Sequence, residues 1–574
     1  MVLLIVAVWL VAVFFIHPQG NFPLSDDWAY GGAVKSLLDT GSIKLPDWSS
    51  ANFITQMFWG ALFCLPEGFS FTALRVSTLV LGLLGVLITY GLLLEIGAAR
   101  SVALFGALSL ALNPLYLELS YTFMTDVPFV TLSLLSLYLL VRTLKVNSKK
   151  AAVLGLMFAC GAILIRQIGI SILAAASLAY LVKNRLWVRT VLIAIVPVSL
   201  GLTTQLLFQE WLQLTHRMPA VYQVQMRLIL NICKHLTWRS VIPAMDATFV
   251  FLIYLGLFSL PFLLFLWPRG LMSIFRSRYL TLVTLLFATL ATYFVRNKKM
   301  PLLPDVLYDF GLGHPILYDT DTLHLHSFPS AGGKFWIVIT ILGVLGAAVL
   351  FQATVIAVAQ ACSPLKLSPA RRGVMVLLLA TGVVYVVPLI ILWFDGFVFD
   401  RYLLLLVPLS IVMIAQLLPK PEFVETRFQY YFPAILSLLL CGLFSVAATH
   451  DYLSWNRVRW QALNELMFDQ HVDPKQIDGG FEFDGWYLYS RNYPNQLLLY
   501  VDQLIQNGAT PKSGTVSQST PKKSWWWVSS DEFVVTLGPV PDYAEVKHYH
   551  FPRWLPPGEG NVLTLRRSST DTSR

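Results

Sequence analysis

Two adjacent carboxylates, Asp26 and Asp27, stand in the stretch Pro23-Leu-Ser-Asp-Asp-Trp-Ala-Tyr30, just after the first apolar segment. A carboxylate pair on a wet loop can take a proton from a nucleophile or orient it; it can also do no more than favour a helix start. Ser25 is a good N-cap residue, so a helix from here to Thr40, stopped by Gly41, would hold both acids in its first turn. Tyr30 would fall on the same face. Asp126 closes a second short segment, Asn113 to Pro128, that has no cation of its own. Asp400-Arg401 followed by Tyr402 opens a late apolar stretch, and Arg166-Gln167 sits at another hairpin. Taken singly, such charges read as anchors at a membrane surface. Gathered on one face, guanidiniums could hold an anionic head group while a carboxylate moves a proton.

A further cluster, Asp319-Thr-Asp321-Thr-Leu-His324-Leu-His326, combines two patterns that can ligate metal. It lies on a loop expected to face outward, where nucleotide sugars are absent. We read it as a polar loop or a cover over the site, and expect no cofactor; a divalent metal on Asp319, Asp321, His324 and His326 is the lesser alternative.

These residues need a scaffold, and the composition indicates which kind. Of 574 residues, 56% are hydrophobic and 13% charged, against about 25% charged in soluble domains, so the chain reads as a polytopic membrane protein. The net charge of +9 needs no nucleic-acid partner, because cytoplasmic loops collect Lys and Arg. Five scattered cysteines (Cys64, Cys160, Cys233, Cys362, Cys441) show no metal-ligand spacing. Apolar spans are expected at Val2–Ile16, Phe71–Leu94, Ser101–Leu117, Val127–Val141, Ala151–Ile165, Ile168–Val182 and Thr190–Phe208. They continue at Thr248–Trp267, Tyr279–Val295, Phe335–Gln360, Val374–Phe394, Tyr402–Leu418 and Tyr431–Ala447, thirteen in all. Phe53–Leu65 reads as an amphipathic stretch in the interface plane.

Alternate loops carry the cations: Arg142, Lys145, Lys149 and Lys150; Lys183, Arg185 and Arg189; Arg269, Arg276 and Arg278; Lys366, Arg371 and Arg372; Lys420 and Arg427. The positive-inside rule puts these in the cytoplasm and every acidic motif above outside. The fold expected is therefore all-α and polytopic, with about thirteen transmembrane helices and a small extracytoplasmic α+β carboxyl-terminal domain. Residues 1–448 form the membrane domain, with outer loops at 17–70 and 296–334, and residues 449–574 the outer domain. Within the latter, Tyr452–Met467 reads as an amphipathic helix, Trp525–Val528 and Phe533–Thr536 as strands, and Ala509–Ser524 as a connector.

The pattern resembles the GT-C membrane glycosyltransferases, in the branch that contains the protein O-mannosyltransferases and the lipid A aminoarabinose transferase. Asp26-Asp27-Trp28-Ala29-Tyr30 resembles the acidic motif of their first outer loop. Thr125-Asp126-Val127-Pro128 matches their second outer acid, and Asp400-Arg401-Tyr402-Leu403 an Arg-Tyr pair opening a late span. Two departures stand out: the second acid of the pair is Asp rather than Glu, and Lys44-Leu-Pro-Asp lacks the Lys-Pro-Pro-like run of many relatives.

The resemblance implies a polyprenyl-phosphate sugar donor, membrane lipids around it and an extracytoplasmic acceptor, with the protein in a bacterial inner or plasma membrane. It implies Asp26 as the leading base, Asp27 as its positional partner and Asp126 as a second acid. Arg166 and Arg401, with Lys44 as a possible substitute, would hold phosphate, and Tyr30 and Tyr402 would pack around them. Two other classes compete. A transporter or lipid flippase would call for paired repeats and broken midplane helices, which the sequence lacks. A non-catalytic envelope assembly protein would use the outer domain to bind a partner.

Overall fold

The computed structural model describes all residues except 185, 220, 223–224, 226, 228, 231–233, 235–237, 239–240, 270–277, 304, 326–329, 364–366, 394–398, 418–427, 490–522, 526 and 569–574. Cys233, His326, the loop cations Arg185, Arg276, Lys366, Lys420 and Arg427, and most of the Ala509–Ser524 connector lie outside the described residues.

Long apolar runs fold as helices because a helix satisfies its own backbone polar groups where no water can. In chain order the α-helices of more than four residues are α1 (Val2–Ile16), α2 (Asp27–Thr40), α3 (Ile54–Cys64), α4 (Phe71–Glu95), α5 (Arg100–Ala111) and α6 (Pro114–Leu119). Next come α7 (Asp126–Val146), α8 (Lys149–Ile163), α9 (Ile170–Lys183), α10 (Val188–Leu214), α11 (Val241–Leu266) and α12 (Arg278–Phe294). The series ends with α13 (Gly332–Cys362), α14 (Pro369–Trp393), α15 (Leu406–Leu417), α16 (Phe432–Asn464) and α17 (Phe481–Leu488). Among the described residues, eight helical segments are long and apolar enough to cross a membrane, so the chain is a multi-pass integral membrane protein. The other expected spans coincide with the shorter helices α1, α5, α8, α9 and α12.

Close helix approach depends on small residues, since lipid offers no hydrophobic drive for helices to associate. At the crossing of α11 and α13, a Cβ on Gly256 would lie 2.1 Å from the Ala347 nitrogen and 2.5 Å from the Gly343 oxygen. Backbone atoms cannot swing aside. Gly256→Ala is therefore expected to lower stability by roughly 1–3 kcal/mol, read as a drop in melting temperature. Gly91→Ala, whose new methyl would meet nothing closer than 3.8 Å, is the control and should melt normally.

Several local expectations are corrected. Asp26, not Ser25, occupies the cap position of α2; Ser25 has a φ of 51° and makes no capping bond. The end of α2 is as expected, with Gly41 in the left-handed region. The Ser101–Leu117 stretch is broken in two, because the Asn113 side chain accepts from the Leu115 and Tyr116 amides and starts α6. Tyr452–Met467 is no separate helix for most of its length: α16 runs unbroken through 33 residues from the apolar segment into the polar region. The apolar stretch Tyr402–Leu418 begins as a 3₁₀ turn, Asp400–Leu403, before α15.

A two-residue hairpin, β1 (Leu307–Tyr308) and β2 (Gly311–Leu312), lies in the 296–334 loop, and the carboxyl-terminal half of α16 carries a four-stranded sheet of β3 (Ile477–Asp478), β4 (Phe533–Thr536), β5 (Tyr543–Trp554) and β6 (Pro557–Arg567), in the order β3-β4-β6-β5. The β5–β6 hairpin is antiparallel; β3 runs parallel to β4. Asp451 fastens it to the helix by accepting the Trp554 and Leu555 amides at 2.8 Å each. Phe533–Thr536 is a strand as expected, whereas the described residues of Trp525–Val528 are not: they turn into an aromatic cluster instead.

Candidate active site

The loop between α1 and α4 folds back onto the helix ends because one buried cation gathers it. Arg75, in the second turn of α4, donates to the carbonyls of Pro18, Gly20, Phe22 and Tyr121 at 2.7–3.0 Å. It thereby ties the start of the α1–α4 loop to the segment between α6 and α7. Asp27 makes a second tie, accepting the Phe123 amide at 2.8 Å and the Leu24 amide at 3.3 Å. Gln56 makes a third, donating to the Phe123 carbonyl at 2.7 Å. Asp27 is thus buried in a joint between loops.

Burial pushes the Asp27 carboxyl up to about 8, opposed by the charge of Arg75 and the two amides. Its unfolded value is about 3.9. The folded chain then holds a proton that the unfolded chain releases, so this group stabilises most below about pH 4 and loses its contribution as pH rises toward 8. Asp27→Asn is expected to flatten the corresponding fall of melting temperature between about pH 5 and pH 8.

Asp26 is placed differently. Its side chain is 16% exposed, Trp48 Nε1 donates to Oδ1 at 2.9 Å, and Arg401 Nη2 stands 3.5 Å from Oδ2. Arg401 also pairs with Asp305, Nε to Oδ2 at 3.1 Å, without hydrogen-bond alignment. Arg166 donates from Nη1 to Asp126 at 2.8 Å and from Nε to Thr125 at 2.8 Å. Both guanidiniums lie over the Tyr402 ring, Arg166 at 5.3 Å and Arg401 at 5.7 Å from its centre. The structure therefore brings Asp26, Asp126, Arg166, Arg401 and Tyr402 into one cluster at one end of the helices. Tyr30 flanks it, its hydroxyl 3.0 Å from Ser49 Oγ and its ring packed on Phe53. Lys44 is exposed and, among the described residues, forms no ion pair with this cluster.

Asp305 and Glu118 complete the site and carry no local signal in the sequence. Asp305 comes from the 296–334 loop, which the Asp400 carboxylate pins down by accepting the Val306 and Leu307 amides at 3.1 and 2.7 Å. Burial, offset by Arg401, raises Asp305 to about 6. Glu118 is buried beside it, lining a small cavity with Asp305, Arg401, His314 and Ser25. The described part of the metal-like segment, residues 319–325, lies elsewhere: Asp319 is buried and accepts the Leu537 amide, next to β4. Among the described residues, no three His, Cys, Asp or Glu side chains are placed to hold a metal ion.

Set beside known proteins, the chain overlays along its full length on two crystal structures of ArnT from Cupriavidus metallidurans, which it covers to 99%. The apo form gives 12% identity and a TM-score of 0.40. The form bound to undecaprenyl phosphate gives 14% and 0.41. No curated protein matches it. Residues 53–208, which carry Asp126 and Arg166 but neither Asp26 nor Arg401, match the family described as dolichyl-phosphate-mannose-protein mannosyltransferase.

Proposed function

We propose that this chain is a membrane glycosyltransferase that moves a sugar from a polyprenyl-phosphate carrier to a hydroxyl-bearing acceptor outside the cytoplasm. The observation that carries the reading is the pair of guanidiniums, Arg166 and Arg401, held over one tyrosine ring beside the partly exposed carboxylate of Asp26. Two like charges brought together in a dry site call for anions around them, and a phosphate diester offers oxygens for the guanidinium protons that carboxylates leave free. The match of residues 53–208 to a family named for a lipid-phosphate sugar donor supports the same substrate class.

The reaction then needs little else. The acceptor oxygen attacks the anomeric carbon, its proton passes to Asp26, and the bond from that carbon to the phosphate oxygen breaks. The polyprenyl phosphate departs with the bonding electrons, its growing charge met by Arg166 and Arg401. Asp126 holds Arg166 in place, and Asp27 holds the loops. The Lys and Arg excess on the alternate loops of the sequence supports assigning this cluster to the side away from the cytoplasm.

The test is release of undecaprenyl phosphate from a panel of synthetic undecaprenyl-phosphate sugars by purified protein in nanodiscs. Turnover of at least one member, lost in Asp26→Asn, is expected. No turnover of any, together with movement of the intact lipid across liposome membranes, would favour a flippase instead.

A further inference from the structure

We propose that Glu482, anchored by Arg459, is a positioning residue for Asp26, so that the outer carboxyl-terminal lobe completes the active site. The proposal rests on the function given above and deepens it.

The two residues on either side of this contact are 457 positions apart in sequence. Ser25, immediately before Asp26, has a φ of 51°, in the left-handed region that side chains other than glycine disfavour. Its amide does not turn into the helix. It donates to Glu482 Oε1 at 3.1 Å. The other oxygen of Glu482 accepts from Arg459 Nη1 at 2.8 Å, and both side chains are almost wholly buried, at 2% and 0% exposure. Arg459 is fixed in turn: Nε and Nη2 donate to the Gly479 carbonyl at 2.9 and 2.7 Å, and Nη1 reaches Asn456 at 3.2 Å. The carboxylate is thus divided, one oxygen on the guanidinium and one on the backbone that carries Asp26.

The neighbouring residue acts on the other side of Asp26. Phe481 packs on Trp48 with ring centres 5.8 Å apart, and Trp48 Nε1 is the donor to Asp26 Oδ1. Phe481 and Glu482, consecutive on α17, therefore support both the backbone before Asp26 and the indole that orients its carboxylate. A lobe attached only as a binding module would have no need to reach a backbone amide next to the reacting acid. Such a contact sets where Asp26 points, and a misplacement of about 1 Å in a reacting group can lower a rate about 10²-fold.

Two variants separate positioning from simple folding. Glu482→Gln keeps the length but offers Arg459 and Ser25 only one oxygen between them. Glu482→Asp keeps the charge facing Arg459 and withdraws from Ser25, which preserves the buried pair if Gln does not fold. On the undecaprenyl-phosphate sugar that the wild type turns over, each folded variant is expected to lower kcat by about 10-fold to 10²-fold, with donor KM within about twofold. In the Asp26→Asn background the same changes should lower the residual rate no further, because the two residues act as a unit.

Unchanged kcat per folded molecule, with a lowered melting temperature in either background, would reduce Glu482 to a structural residue and overturn the proposal. If the wild type turns over no donor, the functional reading falls, and the positioning claim is judged separately by a crystal structure of Glu482→Asp. There, loss of the Trp48–Asp26 bond and a shifted Ser25 backbone support the claim, and an unmoved Asp26 refutes it.

Discussion

Asp26→Asn is expected to lower transfer by about 10²–10⁴-fold while leaving donor binding near normal. Asparagine keeps the size of aspartate and can still accept from Trp48 Nε1 through its amide oxygen, so the seat of the side chain survives. What it loses is the ability to receive a proton from the acceptor hydroxyl. The companion Asp27→Asn should stay within about tenfold of wild-type turnover, because Asp27 is closed off behind two backbone amides and an uncharged amide resembles its protonated form. Steady-state rates on an undecaprenyl-phosphate sugar, with folding checked by melting temperature, decide between them. Near-normal transfer by folded Asp26→Asn removes Asp26 as the base. Asp305 is then the acid to examine, since it is 20% exposed and stands raised to about 6, near the pH at which a base works best.

Arg401→Lys should raise the donor KM by about 10-fold to 100-fold, with kcat reduced less. A charged hydrogen bond contributes about 1.5–3 kcal/mol, and lysine replaces a planar fork of donors by a point charge. Lysine is the better probe than alanine. Arg401 is the shared partner of Asp26 and Asp305, so its outright removal would leave two carboxylates facing one another in a nearly closed site and disturb folding as well as binding. Titration of the purified protein with undecaprenyl phosphate measures the same interaction without turnover. A Kd unchanged by Arg401→Lys would make the residue a structural partner of Asp26 and Asp305 whose neighbours do the binding.

The membrane character and the run of helices were legible in the chain because both depend on local composition. Twenty apolar residues in a row have one satisfactory conformation in lipid, and a glycine after a polar helix stops it, as Gly41 does. Asp26, Asp126, Arg166 and Arg401 could be singled out because a charge beside an apolar span is conspicuous in one dimension. Their convergence on one cluster was legible only as a shared face, since loop paths rather than spacing bring them together.

Arg75 and Glu118 gave no comparable signal. Arg75 stands near the start of a span, where its sequence neighbours name no partner, and its role arises from four carbonyls on two different loops. Asp305 and Glu482 lie in polar stretches where acids are common, and their partners are distant in sequence. Ser25 shows the limit most directly. Its residue type favours capping a helix, yet a carboxylate from the far end of the chain takes its amide, its φ turns positive, and the cap position passes to Asp26. A local preference of about 1 kcal/mol gives way to a hydrogen bond whose acceptor is already held by a buried guanidinium, because desolvated groups must find partners wherever the fold places them.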